Sequence, residues 1–566
     1  MLSWLIFLPL AGALVVALLP RDRQDLVRWV GLAASLATLA VFAAVWVAFD
    51  PASSALQFVE RVPWVPQLGI GYAVGVDGIS LLLAGLTVVT FPVALLGAWS
   101  DVTERVKAFT VAMLGLETAV LGTFLSLDLI LFYVFWEAVL IPMAFLIGLW
   151  GSEHRRYAAL KFFLYTMAAS VLMLVAILAL HVLAAGPLGA RSFDLERLAT
   201  VRLAPAVQGW LFAAFALAFA VKVPVWPFHT WLPDAHTEAP TPGSVILAAL
   251  LLKMGTYGFL RFGPTLFPAA LAQAAPVLAA LAIVGILYGA AVSWAQADLK
   301  RLVAFSSVSH LGFVMLGLAA LNVQGLQGSL LQMVNHGIST GALFLIVGVL
   351  YERTHTRRLA DYGGVAALMP RFAAVFTIVM LSSAALPGTN GFAGEFLILL
   401  GAFRTSRWWA ALAAGGVILS VVYLLWAYQQ VMHGPVRAAQ RERLVDLRPR
   451  ELVVFAPLLV LIVVIGLYPR LLLDRSEATV AAVVQRVAAG APPAAVAGAP
   501  VPVGREVHPA PRAHGAGVAP VPRRPADRGF PTPASTWQQP QSGTSQDTLR
   551  PMRSAPQTAS SREPVR

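Results

Sequence analysis

The chain has 566 residues, of which 58% are hydrophobic and only 12% charged, whereas soluble domains carry about a quarter charged residues. With a mean hydropathy of +0.75 it reads as an integral membrane protein. The net charge of +12 does not point to a nucleic-acid partner, because the basic residues are scattered over loops and form no clustered face; zero cysteines exclude disulfides, thiolate metal sites and Cys-ligated iron–sulfur clusters.

Fourteen apolar spans follow one another at 2–20, 29–49, 77–99, 108–127, 129–150, 159–184, 207–230, 243–262, 271–293, 302–321, 326–350, 372–402, 408–432 and 452–469. Most approach the ~20 residues a helix needs to cross ~30 Å of hydrocarbon. The first span has no basic residue before it and Arg21, Arg23 and Arg28 just after it, the reverse of a signal peptide. It is therefore expected to stay as a helix with its N-terminus outside. With residues at span ends counted with their loops, the odd-numbered loops carry 19 Lys and Arg against 7 in the even-numbered ones. The positive-inside rule then places the odd loops in the cytoplasm and both termini on the outer side. From about residue 487 the chain turns rich in Pro, Ala, Gly, Ser and Arg without periodicity, and such a segment is expected to be disordered.

Two spans carry helix breakers in comparable places. In the seventh, Pro224 and Pro227 follow Lys222; in the twelfth, Pro387, Gly388 and Gly391 precede Glu395. Proline removes a backbone donor and clashes with the preceding turn. Lipid cannot satisfy the freed carbonyls, so both breaks should face protein or a water-filled cavity. Spans four to eight and nine to thirteen make two groups of five, and each break falls on the fourth member. That register is the pattern of an inverted repeat with functional residues near the midplane.

Lys222 and Lys253 are the two basic residues deep inside the spans. A cation there costs from ~3 kcal/mol upward, and a buried amine can lower that cost by giving up its proton. Three acids lie in spans, Glu117, Glu137 and Glu395, while Asp77 and Asp128 sit at span edges as expected helix caps. Glu137 is eight residues into its span, about 12 Å along a helix, and Lys222 is its natural partner. At ~7 Å and an effective dielectric of ~20 the attraction is about 2.4 kcal/mol, enough to make the pair a switch that discharges the lysine when the glutamate is moved or protonated. Lys253 has no acid in its own helix, and water could pass it a proton from Lys222. His310 and His336 lie mid-span among Ser306, Ser307, Ser309, Asn335 and Ser339, a polar strip able to carry a proton near neutral pH. Glu117 stands alone in its helix as a secondary candidate. No histidine–acid cluster has metal-ligand spacing, and no phosphate-binding glycine loop appears.

The segments LPDAHTEAPTPGSVILAALLLKMGTYGFLRF (232–262) and FWEAVLIPMAFLIGLWG (135–151) closely resemble the M chains of bacterial proton-pumping NADH–quinone oxidoreductase, counterparts of mitochondrial complex I subunit 4. The resemblance covers residues 1 to about 480. It implies an all-α polytopic membrane protein of about fourteen transmembrane helices, with two inverted five-helix repeats and discontinuous helices seven and twelve. The expected division is 1–107 for three N-terminal helices, 108–262 for an input repeat, 271–432 for an output repeat, and 452–486 for the last helix with a short extension; the tail, 487–566, departs from the family pattern and inherits nothing from it. By the same resemblance Glu137 and Lys222 form the input pair, Lys253 is the central carrier, His310 and His336 belong to the connecting axis, and Glu395 faces the exit. Glutamate at that last position, with no long lateral amphipathic helix, favours the M chain over its relatives.

The resemblance further implies a proton-translocating subunit of the bacterial inner membrane, flanked by similar antiporter-like subunits of the membrane arm and by lipid. No cofactor or metal is expected in this chain; FMN, iron–sulfur clusters and quinone are expected in partner subunits. The rival readings are a subunit of a multi-subunit sodium/proton antiporter, a membrane subunit of a proton-pumping hydrogenase, and a scaffold whose buried charges only hold helices together.

Overall fold

A computed structural model of the chain describes residues 1–436 and 442–490. The order of elements is α1 (Leu2–Leu18), α2 (Gln24–Ala48), β1 (Gln57–Val65), β2 (Ile70–Val76), α3 (Gly78–Asp101), α4 (Val106–Leu125), α5 (Leu129–Trp150), α6 (Arg155–Leu188), α7a (Pro205–Lys222), α7b (Trp231–Glu238), α8 (Thr241–Leu266), α9 (Pro268–Trp294), α10 (Leu299–Ala319), α11 (Val323–Thr354), α12a (Pro370–Ser383), α12b (Asn390–Thr405), α13 (Arg407–Met432), α14 (Pro449–Leu467) and α15 (Arg470–Gly490). Among the described residues, 12 of these helices are long and apolar enough to cross a membrane. The shorter α1 and the two-part α12 complete the fourteen spans expected from hydropathy.

Burial is uneven and follows polarity. The apolar windows of α8 and α10 are buried all round, and α11 nearly so, whereas about a third of α2, α13 and α14 is buried. The chain thus spends its interior on the helices that carry Lys253, His310 and His336. Helix starts are set by short polar side chains. Asp77 accepts hydrogen bonds from the backbone of Ile79 and Ser80, Asp128 from Ile130 and Leu131, Asp298 from Arg301 and Asn322 from Gly325, each satisfying amides that a first turn leaves unpaired.

Four features add to or differ from the sequence expectation. The spans are all α as expected, and the loop after α2 adds an antiparallel hairpin of β1 and β2, whose Glu60 holds the N-terminal ammonium and Ser3. Arg261, counted as a span end, is buried inside α8. Its guanidinium grips Asp77 through two bonds of 2.6 and 2.7 Å, while Tyr257 accepts from its Nε at 3.2 Å and donates to the Phe124 carbonyl at 2.9 Å. Burial alone would raise the Asp77 carboxyl, but the charge of Arg261 and the bonds from Ser80 outweigh it and hold it below the ordinary 3.8. The short extension expected to stop at 486 is a separate helix, α15, reaching Gly490. Its inner face, Leu472, Ser476, Thr479, Val480, Val483 and Val487, recurs at helical spacing and packs on α3, α8, α9 and α11. Residues 487–490, expected in the tail, therefore belong to this helix; residues 491–566 lie outside the described residues.

Candidate functional site

The two breaks fall where the prolines put them. Helix α7a ends at Lys222 and α7b resumes at Trp231; α12a ends at Ser383 and α12b resumes at Asn390, after Pro387 and Gly388. The carbonyls freed beside Pro224 and Pro227 are taken up within the protein: the Val225 amide reaches back to Ala220 at 2.8 Å, and the Trp231 indole donates to Val221 at 2.9 Å. A third interruption was not expected. Helix α5 slackens at Val139, whose amide makes a long 3.3 Å bond to Phe135, two residues beyond Glu137.

Lys222 is fully buried and its Nζ has no hydrogen-bond partner among the described residues. It lies over the rings of Trp136 (5.2 Å) and Phe162 (5.8 Å), aromatic faces that attract a cation. Glu137 is the acid whose charge acts on it. The two are not joined directly, since Lys222 Nζ has no bonded partner among the described residues; Glu137 Oε1 has none either. A close approach sets the neighbouring helix: a Cβ at Gly255 would stand 2.7 Å from the Phe219 carbonyl and 2.9 Å from the Val223 amide. Gly255→Ala would force α8 off the end of α7a, at a cost of about 1–3 kcal/mol. A lower thermal midpoint of the purified subunit or complex checks this.

Lys253 is fully buried in α8, immediately after a π turn at Leu247–Leu251, an irregularity frequent at functional positions. Sequence left it unpaired; in the structure its Nζ donates to the Ala248 carbonyl at 2.6 Å and meets Nδ1 of His336. The His336 ring lies 5.9 Å from that of His310. His310 Nδ1 is 3.1 Å from Glu395 Oε1, and its Nε2 is 3.5 Å from the Tyr423 hydroxyl. Gln332 also donates to Glu395 at 3.2 Å. Asn390, at the start of α12b, ties the break to α11 by accepting from Ser382 and Ser339 and by receiving Asn335 on its carbonyl.

The structure thus joins Lys253, His336, His310 and Glu395 in one buried line across α8, α11, α10 and α12b. Glu117 is apart from it, buried in α4 with one oxygen accepting from Ser35 of α2 at 3.0 Å and the other without a partner. Sequence reasoning missed Tyr423, Gln332 and Asn390, whose relevance is purely tertiary. It also missed His236, which lies inside a quoted motif. Among the described residues no group of three or more His, Cys, Asp or Glu side chains is placed to hold a metal ion.

The family described as NADH:quinone oxidoreductase/Mrp antiporter, TM, matches residues 126–422. NADH-quinone oxidoreductase subunit M of Rhodobacter capsulatus is 46% identical over 498 residues, covering 86% of this chain and 96% of that one. NADH-ubiquinone oxidoreductase chain 4 of Arabidopsis thaliana is 44% identical over 485 residues, covering 86% and 97%. A chain of respiratory complex I from Thermus thermophilus, solved with bound NADH, superposes with a TM-score of 0.77 at 34% identity, covering 86% of this chain and all of that one. With a matching family region over half its length, an antiporter-like fold and relatives of nearly full coverage, this chain belongs to the NADH:quinone oxidoreductase/Mrp antiporter family, in the branch of subunit M and chain 4.

Proposed function

We propose that this chain is a proton-translocating membrane-arm subunit of an NADH–quinone oxidoreductase, set between similar antiporter-like subunits. The observation that carries the reading is the buried line from Lys253 through His336 and His310 to Glu395. An intramembrane lysine costs too much to serve only as packing, and here it meets a group that can accept its proton. Lys222 feels the charge of Glu137 without a direct bond to it, as a switchable pair requires. A pair meant only to join helices would sit in contact with its hydrogen bonds made.

In this reading residues 108–262 and 271–432 are the two inverted repeats, input and output. The odd loops face the cytoplasm, and both termini lie outside the bacterial inner membrane. Electron transfer takes place in partner subunits that hold FMN, iron–sulfur clusters and quinone, and this chain contributes no redox group. Substituting Glu137→Ala or Lys222→Ala should lower proton pumping per NADH oxidised at least five-fold in inverted membrane vesicles, with the complex still assembled. Near-normal pumping in both variants would sink the assignment of the input pair. Co-purification of the chain with NADH–quinone oxidoreductase activity separates this reading from a sodium/proton antiporter subunit.

A further inference from the structure

We propose that Arg261, clamped to Asp77 beneath α15, is a proton seal that closes Lys253 off from the outer side of the membrane; this rests on the proton-translocation reading given above. Lys253, Tyr257 and Arg261 follow one another at four-residue intervals in α8, the spacing that stacks side chains on one face of a helix. Arg261 lies about 12 Å along the axis from Lys253, towards the end of α8 that meets an even loop, the side assigned to the outside. Its partners belong to the same side. Asp77 and Ser80 open α3 after the hairpin, and Phe124, whose carbonyl receives the Tyr257 hydroxyl, lies at the end of α4. A column of buried polar side chains thus leads from Lys253 towards the outer surface. It ends under α15: the Gly78 amide donates to Thr479 Oγ1 at 3.1 Å, and the Arg475 carbonyl leaves no room for a Cβ at Gly78.

The chemistry of this column is that of a barrier. A guanidinium has five N–H donors, no acceptor, and does not deprotonate in proteins, so it neither takes up a proton nor hands one on. It also occupies the groups that could. Its Nη1 and Nη2 bond the two carboxylate oxygens of Asp77 at 2.6 and 2.7 Å, and the Ile79 and Ser80 amides bond Oδ1 as well. Tyr257 donates to Phe124 and accepts from Arg261 Nε, so its hydroxyl is engaged both as donor and as acceptor. Asp77 and Tyr257, the titratable groups between Lys253 and the outer surface in this column, are thus both held by a cation that cannot exchange protons. A clasp serving only to join α3 to α8 gains little from burying an ion pair over well-packed apolar side chains. A fixed positive charge is what excluding protons requires.

The test uses the purified complex in liposomes without NADH. The readout is the decay of an imposed pH gradient, with the leak of empty liposomes subtracted. Arg261→Met should dissipate the gradient at least three-fold faster than wild type, because Asp77 is freed to exchange protons with Lys253 through water. Combining Arg261→Met with Lys253→Met should return the rate to that of wild type, whereas a leak caused only by loosened packing would persist. Should Arg261→Met fail to assemble, Arg261→Lys decides in its place. It keeps a cation for Asp77, but an ammonium can release its proton, so the gradient should decay at least two-fold faster and again be restored by Lys253→Met. A wild-type rate in the Arg261 variant, or a leak that survives Lys253→Met, overturns the seal. NADH-driven pumping by Lys253→Met alone is measured beside them. If that variant loses pumping while the Arg261 variant holds the gradient, the seal fails and the functional reading stands. If Lys253→Met pumps normally, the functional reading itself fails.

Discussion

Lys253→Met should reduce proton pumping per NADH oxidised at least ten-fold while the subunit is retained in the membrane at close to its normal level. The expectation of a retained fold comes from the energetics of the position. Methionine keeps most of the unbranched stem and fills most of the same space. What is lost is one bond to the Ala248 carbonyl and one to His336, leaving two polar groups short of a partner at about 1–3 kcal/mol each. Against this stands removal of a buried ammonium whose desolvation costs several kcal/mol. The balance is close to neutral for stability. Transport has no such compensation, because no other side chain bonded to His336 Nδ1 can supply it with a proton. Quantifying the assembled complex on native gels beside the pumping assay separates the two effects. A normal ratio would return the buried charges to the scaffold reading.

The largest effect on stability is expected from Arg261→Met. Its guanidinium holds Asp77 through two bonds and Tyr257 through a third, tying α8 to the first turn of α3 and, through Tyr257, to Phe124 at the end of α4. Removing one member of a buried pair leaves the other charged and unsatisfied, at about 3–5 kcal/mol. The denaturation midpoint of the purified complex should fall accordingly, and Asp77→Asn, which keeps the shape, should cost less. The pH dependence follows from the sign of the Asp77 shift. Its folded value lies below the ordinary 3.8, so the contribution is fully present above that value and is lost only as acid takes the pH through the depressed folded value. With Arg261 gone, burial raises the Asp77 carboxyl, so Arg261→Met regains stability as falling pH protonates it, and the difference from wild type should narrow on going from pH 8 to pH 5. A difference that stayed constant over that range would show that Asp77 remains ionised without Arg261.

Much of this architecture was legible in the sequence because a bilayer makes severe demands. Every span had to be long, apolar and internally hydrogen-bonded, so hydropathy located all fourteen, and Pro224 and Pro387 announced the two breaks. Residues expensive to bury named themselves, which is how Lys222, Lys253, Glu137, His310, His336 and Glu395 stood out. What failed was what depends on partners distant in sequence. The hairpin of β1 and β2 looked like a connecting loop, since two short strands acquire stability only from packing. Arg261 looked like the end of a span because its acid lies 184 positions away. His236 was passed over because it lies between the seventh and eighth spans, and only the fold buries it. The partner of Lys253 lies 83 positions off, and helical spacing cannot reveal it.

The two groups that hold Lys253 are unlike in one chemical respect. A peptide carbonyl steadies an ammonium but is far too weak a base to take its proton, whereas imidazole is a base of the right strength. Ala248 is therefore an anchor and His336 is the one bonded acceptor. Once charged, the lysine can discharge along its existing hydrogen bonds in one direction only, towards the helices that lead to Glu395. Rectification, which a pump is usually thought to need a moving gate to achieve, is here supplied in part by the unequal basicity of two atoms bonded to the same nitrogen.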